Sequence, residues 1–348
     1  MVVVTGASGH VGATLVRELL RRGRNVRALV RRDRRALEGL DVEEVRGDVL
    51  EPESLIQAFE GAKTVYHLAA IISILRNNAE QIRAVNVQGV KNVVKACLQR
   101  GVNRLVHFSS IHALSPYPKQ ETVDETRSLV TEEQLMPYDW SKAEGERTVL
   151  EAVRRGLDAV VVSPTAIVGP FDFKLSEIGR FFLSLYHGRI PALVAGGFDW
   201  VDVRDVVDGA IAAQERGRTG ERYLLSGEWV TVKELSRMVQ ECTGRRTPRF
   251  VAPMWLARLG VPFMSLQSAL TGEKPLFTRG SLHTLGHHRY TSHEKATREL
   301  GYTPRPLRDA VGDAFSWYGN HSNFLEEYPL AYPAQEYGAV NDEPRRDS

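Results

Sequence analysis

Four glycines set the frame of this chain. Gly23, Gly61, Gly101 and Gly156 each close a helix-like stretch and stand just before a short valine-rich run. Glycine takes the left-handed backbone conformation that ends a helix. The runs are "VVV" at 2–4, "NVRALV" at 25–30, "VEEVRGD" at 42–48, "TVYHLAA" at 64–70, "RLVHFSS" at 104–110 and "DAVVVSP" at 158–164. Between them lie helical stretches ending in "RELLRRG", from Pro52 to Gly61, from Asn78 to Arg100 and through "YDWSK". In the third of these, Val85, Val90, Val93, Val94 and Leu98 supply the apolar positions. Strands alternating with helices predict a parallel sheet covered on both faces, a doubly wound α/β fold of Rossmann type.

After Pro164 the rhythm weakens. "PTAIVGPFD" reads as a loop, followed by helices near 176–187 and 203–214, a strand "RYLLS" and a helix from Val232 to Cys242. The expected division is a regular α/β domain over 1–165 and a smaller mixed lobe over most of 166–320. Strands at about 198–226 are expected to return to the first sheet. The tail 321–348, rich in Glu, Pro and Tyr, is expected to be poorly ordered.

Composition excludes several classes. With 348 residues, 43% hydrophobic and 25% charged, the chain is an ordinary globular one with room for a sizeable core. A formal charge of +2 does not suggest a nucleic-acid binder. The arginines between 17 and 35 suit a solvated helix face plus a cofactor phosphate better than a polyanion site. Cys97 and Cys242 stand in no metal or redox spacing. The opening "MVVVT" has no basic leader, and "VAPMWLARLGVPFMSLQSAL" at 251–270 carries Arg258 and two prolines, which makes it a poor membrane span. A cytoplasmic location and a small-molecule substrate are therefore expected.

"TGASGHVG" at 5–12 sits between the first strand and the first helix, with Gly6, Gly9 and Gly12 spaced three apart. Glycine permits the tight turn and lets a pyrophosphate approach backbone N–H groups at a helix N-terminus. Ser8, His10 and Val11 complete this cofactor-binding loop. After the second strand come Arg31 and Arg32, then Asp33. An arginine there suits the 2′-phosphate of NADP, because its planar fork pairs two phosphate oxygens. NADP is favoured over NAD, although Asp33 could still reach an NAD ribose. Asp48 and Val49, after the third strand, are placed to meet the adenine.

Tyr138 and Lys142 lie one helical turn apart on one face. An unperturbed tyrosine has a pKa of about 10, and a neighbouring ammonium lowers it towards the range of general acid–base catalysis. The strand ending "FSS" offers Ser110, or Ser109, as donor to a substrate oxygen, since strand C-termini in such sheets face the ligand crevice.

These motifs, with "GDV", "HLAA" at 67–70, "VNVQGVKNV" at 85–93 and "SPTAIVGP" at 163–170, make the chain resemble an extended short-chain dehydrogenase/reductase. The resemblance is to the NAD-dependent epimerase/dehydratase superfamily and covers about residues 1–320. It implies that Tyr138 is the catalytic acid/base, that Lys142 lowers its pKa and holds the nicotinamide ribose, and that Ser110 orients the substrate carbonyl. It also implies that Asn86 supports the site, that Leu68, Ala69 and Ala70 line the cofactor with Ser109, and that Pro164, Thr165 and Ile167 flank the nicotinamide. A homodimer through the helices carrying Asn86 and Tyr138 is implied too.

Two departures point to a subfamily. Ala166 stands where sugar-nucleotide epimerases usually carry asparagine, and Ile111 where dehydratases tend to carry an acid. "SPTAIVGPF" instead resembles dihydroflavonol reductases and hydroxysteroid dehydrogenase-like and hopanoid-associated reductases. With the apolar 251–270 over the pocket, an NADPH-dependent reductase of a ketone or aldehyde on a relatively apolar substrate is expected. The alternatives are a nucleotide-sugar epimerase or dehydratase with retained NAD, and a non-catalytic NADP-sensing or scaffold protein. No metal is expected: His283, His287 and His288 share a helical spacing, but no cysteine or acid stands close by. "DWVDVRDVVDGA" at 199–210, with Asp205, reads as structural.

Overall fold

The computed structural model describes residues 1–72, 78–131, 136–259, 282, 285 and 289–321. The run 260–270, the three histidines at 283, 287 and 288, and the tail from 322 lie outside the described residues.

The alternating runs become β1 (Val2–Thr5), α1 (His10–Arg21), β2 (Val26–Val30), β3 (Glu43–Arg46), α2 (Pro52–Ala58), β4 (Thr64–His67), α3 (Ala79–Arg83), α4 (Gly89–Arg100), β5 (Arg104–Phe108), α5 (Pro137–Arg154) and β6 (Ala159–Pro164). With the later β10 (Arg222–Leu225), the strands form a seven-stranded sheet in the order β10-β6-β5-β4-β1-β2-β3. Every neighbouring pair is parallel. The order reverses between β1 and β4, and a ligand crevice opens outside the strand ends at such a switch point.

Successive side chains of a strand face opposite ways, and the sheet therefore serves two cores. Val3, Leu105, Ala159 and Val161 pack under α2, α4 and α5. Val4, Val106, Val160 and Val162 pack on the other face, under α1 and α7 (Val203–Arg216). This is why the sheet strands read as near-continuous apolar runs rather than as alternating ones.

A second body has its own core of Phe182, Trp200, Leu235, Phe315 and Trp317. It holds β7 (Ala166–Val168), α6 (Glu177–Tyr186), β8 (Leu193–Val194), β9 (Gly197–Asp202), β11 (Glu228–Thr231), α8 (Val232–Thr243), β12 (Val251–Ala252) and α10 (Leu307–Asn320). Its main sheet runs β11-β9-β7, antiparallel then parallel. Helix α9 (Glu294–Leu300) packs back on α7 and β10.

Three details differ from the sequence-based picture. "PTAIVGPFD" contains β7, because β9 supplies the pairing (Ala166↔Trp200) that so short a run cannot signal by itself. Within 198–226, β10 joins the seven-stranded sheet, whereas β9 stays with β7 and β11. The helix expected over 78–100 is interrupted by a π-helical segment at Ala84–Gln88, which holds the buried Asn86. Asp205 accepts the Arg305 backbone N–H at 2.7 Å and its Nε at 2.8 Å, a tie between α7 and the chain before α10. Cys97 and Cys242 are buried and form no disulfide. Among the described residues no helix is long and apolar enough to cross a membrane.

Candidate active site

The turn between β1 and α1 is built so tightly that side chains would not fit. Gly6 has φ +72°, and a Cβ there would lie 2.7 Å from the Ala69 backbone nitrogen. A Cβ on Gly12 would collide with the Gly6 carbonyl oxygen. The Gly9 N–H donates to that carbonyl at 3.0 Å. Gly9 also caps α1, with no side chain bonded to the leading N–H groups. A bare helix start inside a cradle that leaves no room for a Cβ at Gly6 or Gly12 fits a dinucleotide pyrophosphate. Of the loop side chains, His10 Nε2 donates to the Pro170 carbonyl at 2.9 Å, the Ser8 hydroxyl accepts from Lys174 Nζ at 2.8 Å, and Val11 packs on the core.

At the end of β5 two serines part company. Ser109 donates to Glu146 at 2.7 Å, and the Glu146 carboxylate, itself fully buried, also pairs with Arg222. Ser110 stands close enough to Tyr138 to favour its phenolate, and its Oγ accepts the His112 backbone N–H at 3.2 Å. The Tyr138 ring stands edge-on to His112, whose Nδ1 is 3.4 Å from Asp139. Four residues on, the buried Lys142 donates to the Phe108 carbonyl at 2.6 Å.

The electrostatics correct one expectation. Burial pushes the Tyr138 phenol up to about 12, with Asp139 adding to the rise, and it is Ser110 that pulls it down. The ammonium of Lys142 is turned on Phe108, and burial brings Lys142 down to about 8 against the pull of Glu146. Spacing of one helical turn is not enough here: the ammonium is turned on Phe108, and desolvation of the phenolate decides.

Asn86 connects the elements of this corner. Its Oδ1 accepts the Ile71 N–H at 2.8 Å, and its Nδ2 donates to the Ile71 carbonyl and to Ser141 Oγ, both at 2.9 Å. Ser141 in turn donates to the Tyr138 carbonyl at 2.8 Å. The stretch Leu68–Ala70 is fixed from below: Leu68 N–H donates to the Thr5 carbonyl and Ala69 N–H to Thr5 Oγ1. On the other side, Thr165 N–H donates to the Leu225 carbonyl as the chain leaves Pro164, and Ile167 lies in β7.

Towards the end of β2, Arg31 lies 3.5 Å from Asp48, and Arg32 is exposed. Asp33 is held in the fork of Arg35, at 3.1 and 2.9 Å, with Lys174 Nζ 3.9 Å away. Val49 is buried beneath, and Asp48 accepts the Leu50 N–H at 3.0 Å.

Residues 2–226 match the model of the NAD dependent epimerase/dehydratase family. The chain belongs to this family. Over 321 residues it is 38% identical to sterol demethylase protein B of Methylococcus capsulatus, covering 91% of this chain and 97% of that one. It is 32% identical to a putative dihydroflavonol 4-reductase of Synechocystis, over 91% and 94% of the two chains. The crystal structure of gox2253 superposes with a TM-score of 0.81 at 35% identity, over 92% of this chain and 98% of that one. The protein is accordingly an NAD-binding enzyme of the extended short-chain dehydrogenase/reductase type.

In this epimerase/dehydratase-family enzyme, sequence reasoning found the side chains on the strand ends and missed those that reach them from afar. Glu146 is one, although its spacing of four from Lys142 was a signal in plain view. Lys174 is another, brought to Ser8 across 166 positions with no local signal. Asp199, in β9, is a buried carboxyl that sequence reasoning also missed: it accepts the Gly227 N–H at 2.9 Å, and burial raises it to about 6.

Proposed function

We propose that this enzyme reduces a ketone or aldehyde on a relatively apolar small molecule with NADPH. The observation that carries the proposal is the Tyr138 phenol, one helical turn from the buried Lys142 and edge-on to His112 beyond the end of β5, where burial keeps it protonated through the neutral range. A phenol kept in its acid form is a proton donor waiting for a developing alkoxide.

Bound NADPH supplies a hydride to the carbonyl carbon. Tyr138 Oη gives its proton to the carbonyl oxygen, and the product is the alcohol. Ser110 Oγ donates to that oxygen as negative charge gathers on it. Lys142 anchors α5 to β5 through the Phe108 carbonyl, and its remaining N–H groups are free to meet ribose hydroxyls. The glycine loop takes the pyrophosphate, and Asn86 holds Ile71 and α5 in register beside it.

NADPH is preferred over NADH because Asp33 is already neutralised by Arg35, leaving Arg31 and Arg32 exposed towards an anion. The body built from 166–320 serves as substrate lobe. Ala166 of this body, and Ile111 just after β5, bring no polar group to the substrate. The names of the two relatives, one a sterol demethylase protein and one a putative dihydroflavonol reductase, agree with a less polar substrate than a nucleotide sugar. The same proposal includes a cytoplasmic homodimer paired through α4 and α5.

The test begins with the protein as purified. It is denatured, any released nucleotide is identified, and the emptied protein is titrated with NADPH and NADH side by side. Loose binding with preference for NADPH, followed by turnover of apolar ketones or aldehydes, is the expected result. Stoichiometric NAD that resists removal would instead indicate an internal redox cycle on a nucleotide sugar.

A further inference from the structure

We propose that Lys174 reads the 2′-phosphate of the cofactor, reaching it from the loop between β7 and α6 and joining Arg31 and Arg32 at the end of β2. This role presupposes the NADPH-dependent function proposed above.

Its position is the first reason. Lys174 Nζ touches Ser8 of the glycine loop at 2.8 Å and stands 3.9 Å from Asp33 at the end of β2. A dinucleotide laid on the glycine loop places its adenosine ribose between those two points, with the 2′ position towards the residue at Asp33. A cation bridging them occupies the edge where a 2′-phosphate would lie.

Its present contacts are replaceable. Asp33 already has both oxygens in the guanidinium fork of Arg35. Ser8 offers only a neutral hydroxyl, and an ammonium gains more from a phosphate oxygen. Three cations, Arg31, Arg35 and Lys174, here face two carboxylates, Asp33 and Asp48. The surplus is positive. Burial lowers the Lys174 pKa, and Arg31 and Arg35 lower it further against the pull of Asp33, as expected of a cation cluster short of an anion.

The loop that carries Lys174 is fixed. Phe171 and Leu175 hold φ of +70° and +49°, conformations that non-glycine residues keep only when their surroundings impose them. Arg17 of α1 lies against both the Phe171 and Phe173 rings at 4.9 and 4.8 Å. His10 is bonded to the Pro170 carbonyl, and Asp172 accepts the Ser176 N–H and hydroxyl. The loop is thus clasped to the cofactor helix itself, so little ordering cost remains when Lys174 meets its anion.

The experiment measures binding, without turnover. Wild type and Lys174→Met are titrated with NADPH, NADH, 2′,5′-ADP and 5′-AMP, with Lys174→Arg as a second variant and thermal unfolding as a check on folding. The expected result is a loss of about tenfold or more in affinity for NADPH and 2′,5′-ADP in Lys174→Met. NADH and 5′-AMP should change by less than about threefold, and Lys174→Arg should recover most of the loss. Equal losses for NADPH and NADH would assign the cation to the pyrophosphate and overturn the proposal. Unchanged affinities would overturn it too, leaving Lys174 as a tie to Ser8 and Asp33. The NADPH function is judged on wild type alone: binding of NADH with no binding of 2′,5′-ADP would sink it whatever the variant does.

Discussion

Ser109 donates to Glu146 at 2.7 Å, and this one bond aims the end of β5. It turns the Ser109 hydroxyl into the protein, so the next residue, Ser110, faces Tyr138. Two adjacent serines therefore have different work. Ser109→Ala should cost about 1 kcal/mol of stability and leave kcat within a few-fold. Ser110→Ala should lower kcat by about 10², with a stability cost no larger than the roughly 1 kcal/mol of its bond to the His112 N–H. Urea melts and steady-state rates on both variants decide the matter; the opposite pattern would exchange the two roles.

Tyr138→Phe removes the proposed proton donor and leaves the glycine loop and Lys142 in place. Turnover should fall by about 10² or more, with the Kd for NADPH within a few-fold of wild type. Undiminished turnover would remove Tyr138 from the chemistry.

Lys142 ties activity to pH. Its folded value is about 8 against 10.5 for a free lysine. If the ammonium is the working form, reductase activity is present below about 8 and is lost as pH rises through that value. Stability moves the other way. Between about 8 and 10.5 the unfolded chain holds the proton that folded Lys142 has lost, so this group's contribution to stability rises with pH. Above pH 8, wild type should lose activity while gaining stability relative to Lys142→Met. Parallel pH–rate profiles and denaturant titrations would show the divergence, and a flat wild-type profile from pH 7 to 9 would contradict it.

Asp199 carries a cost that asparagine would relieve. Its carboxyl is raised from 3.8 to about 6 by burial, so the folded state holds the proton more tightly and loses stability as pH climbs through that range. Asparagine keeps an oxygen for the Gly227 N–H without the charge. Asp199→Asn should be more stable than wild type by about 1–3 kcal/mol at pH 7.5, with no advantage at pH 4. A loss of stability at pH 7.5 would mean that the charge is better solvated than its burial implies.

The seven-stranded sheet was legible because its signals are local: a helix-ending glycine at Gly61 or Gly101 needs no partner to be recognised. The glycine loop and the pair Tyr138–Lys142 were legible for the same reason. The acidity of Tyr138 was not. Sequence shows the lysine one turn away but not the packing that desolvates the phenol, and the packing dominates. β7 escaped notice because three residues acquire strand character only from β9, some thirty positions on. The arginine-rich stretch resolved into two uses. Arg21 and Arg22 pair with Glu18 on the outer face of α1, while Arg31 and Arg35 stand at the cofactor end of β2.

The path of the chain between its two bodies bears on how such enzymes can be re-engineered. After β7 and β9 have built the small sheet, α7 and β10 return to the large one; β11 and α8 leave again, α9 comes back, and α10 departs once more. The second body is consequently no cassette. Transplanting a relative's specificity as one contiguous insert would carry off the edge strand of the nucleotide sheet with it, so chimeras of this enzyme need several short exchanges at β7, β9 and β11, each joined to a scaffold that stays put.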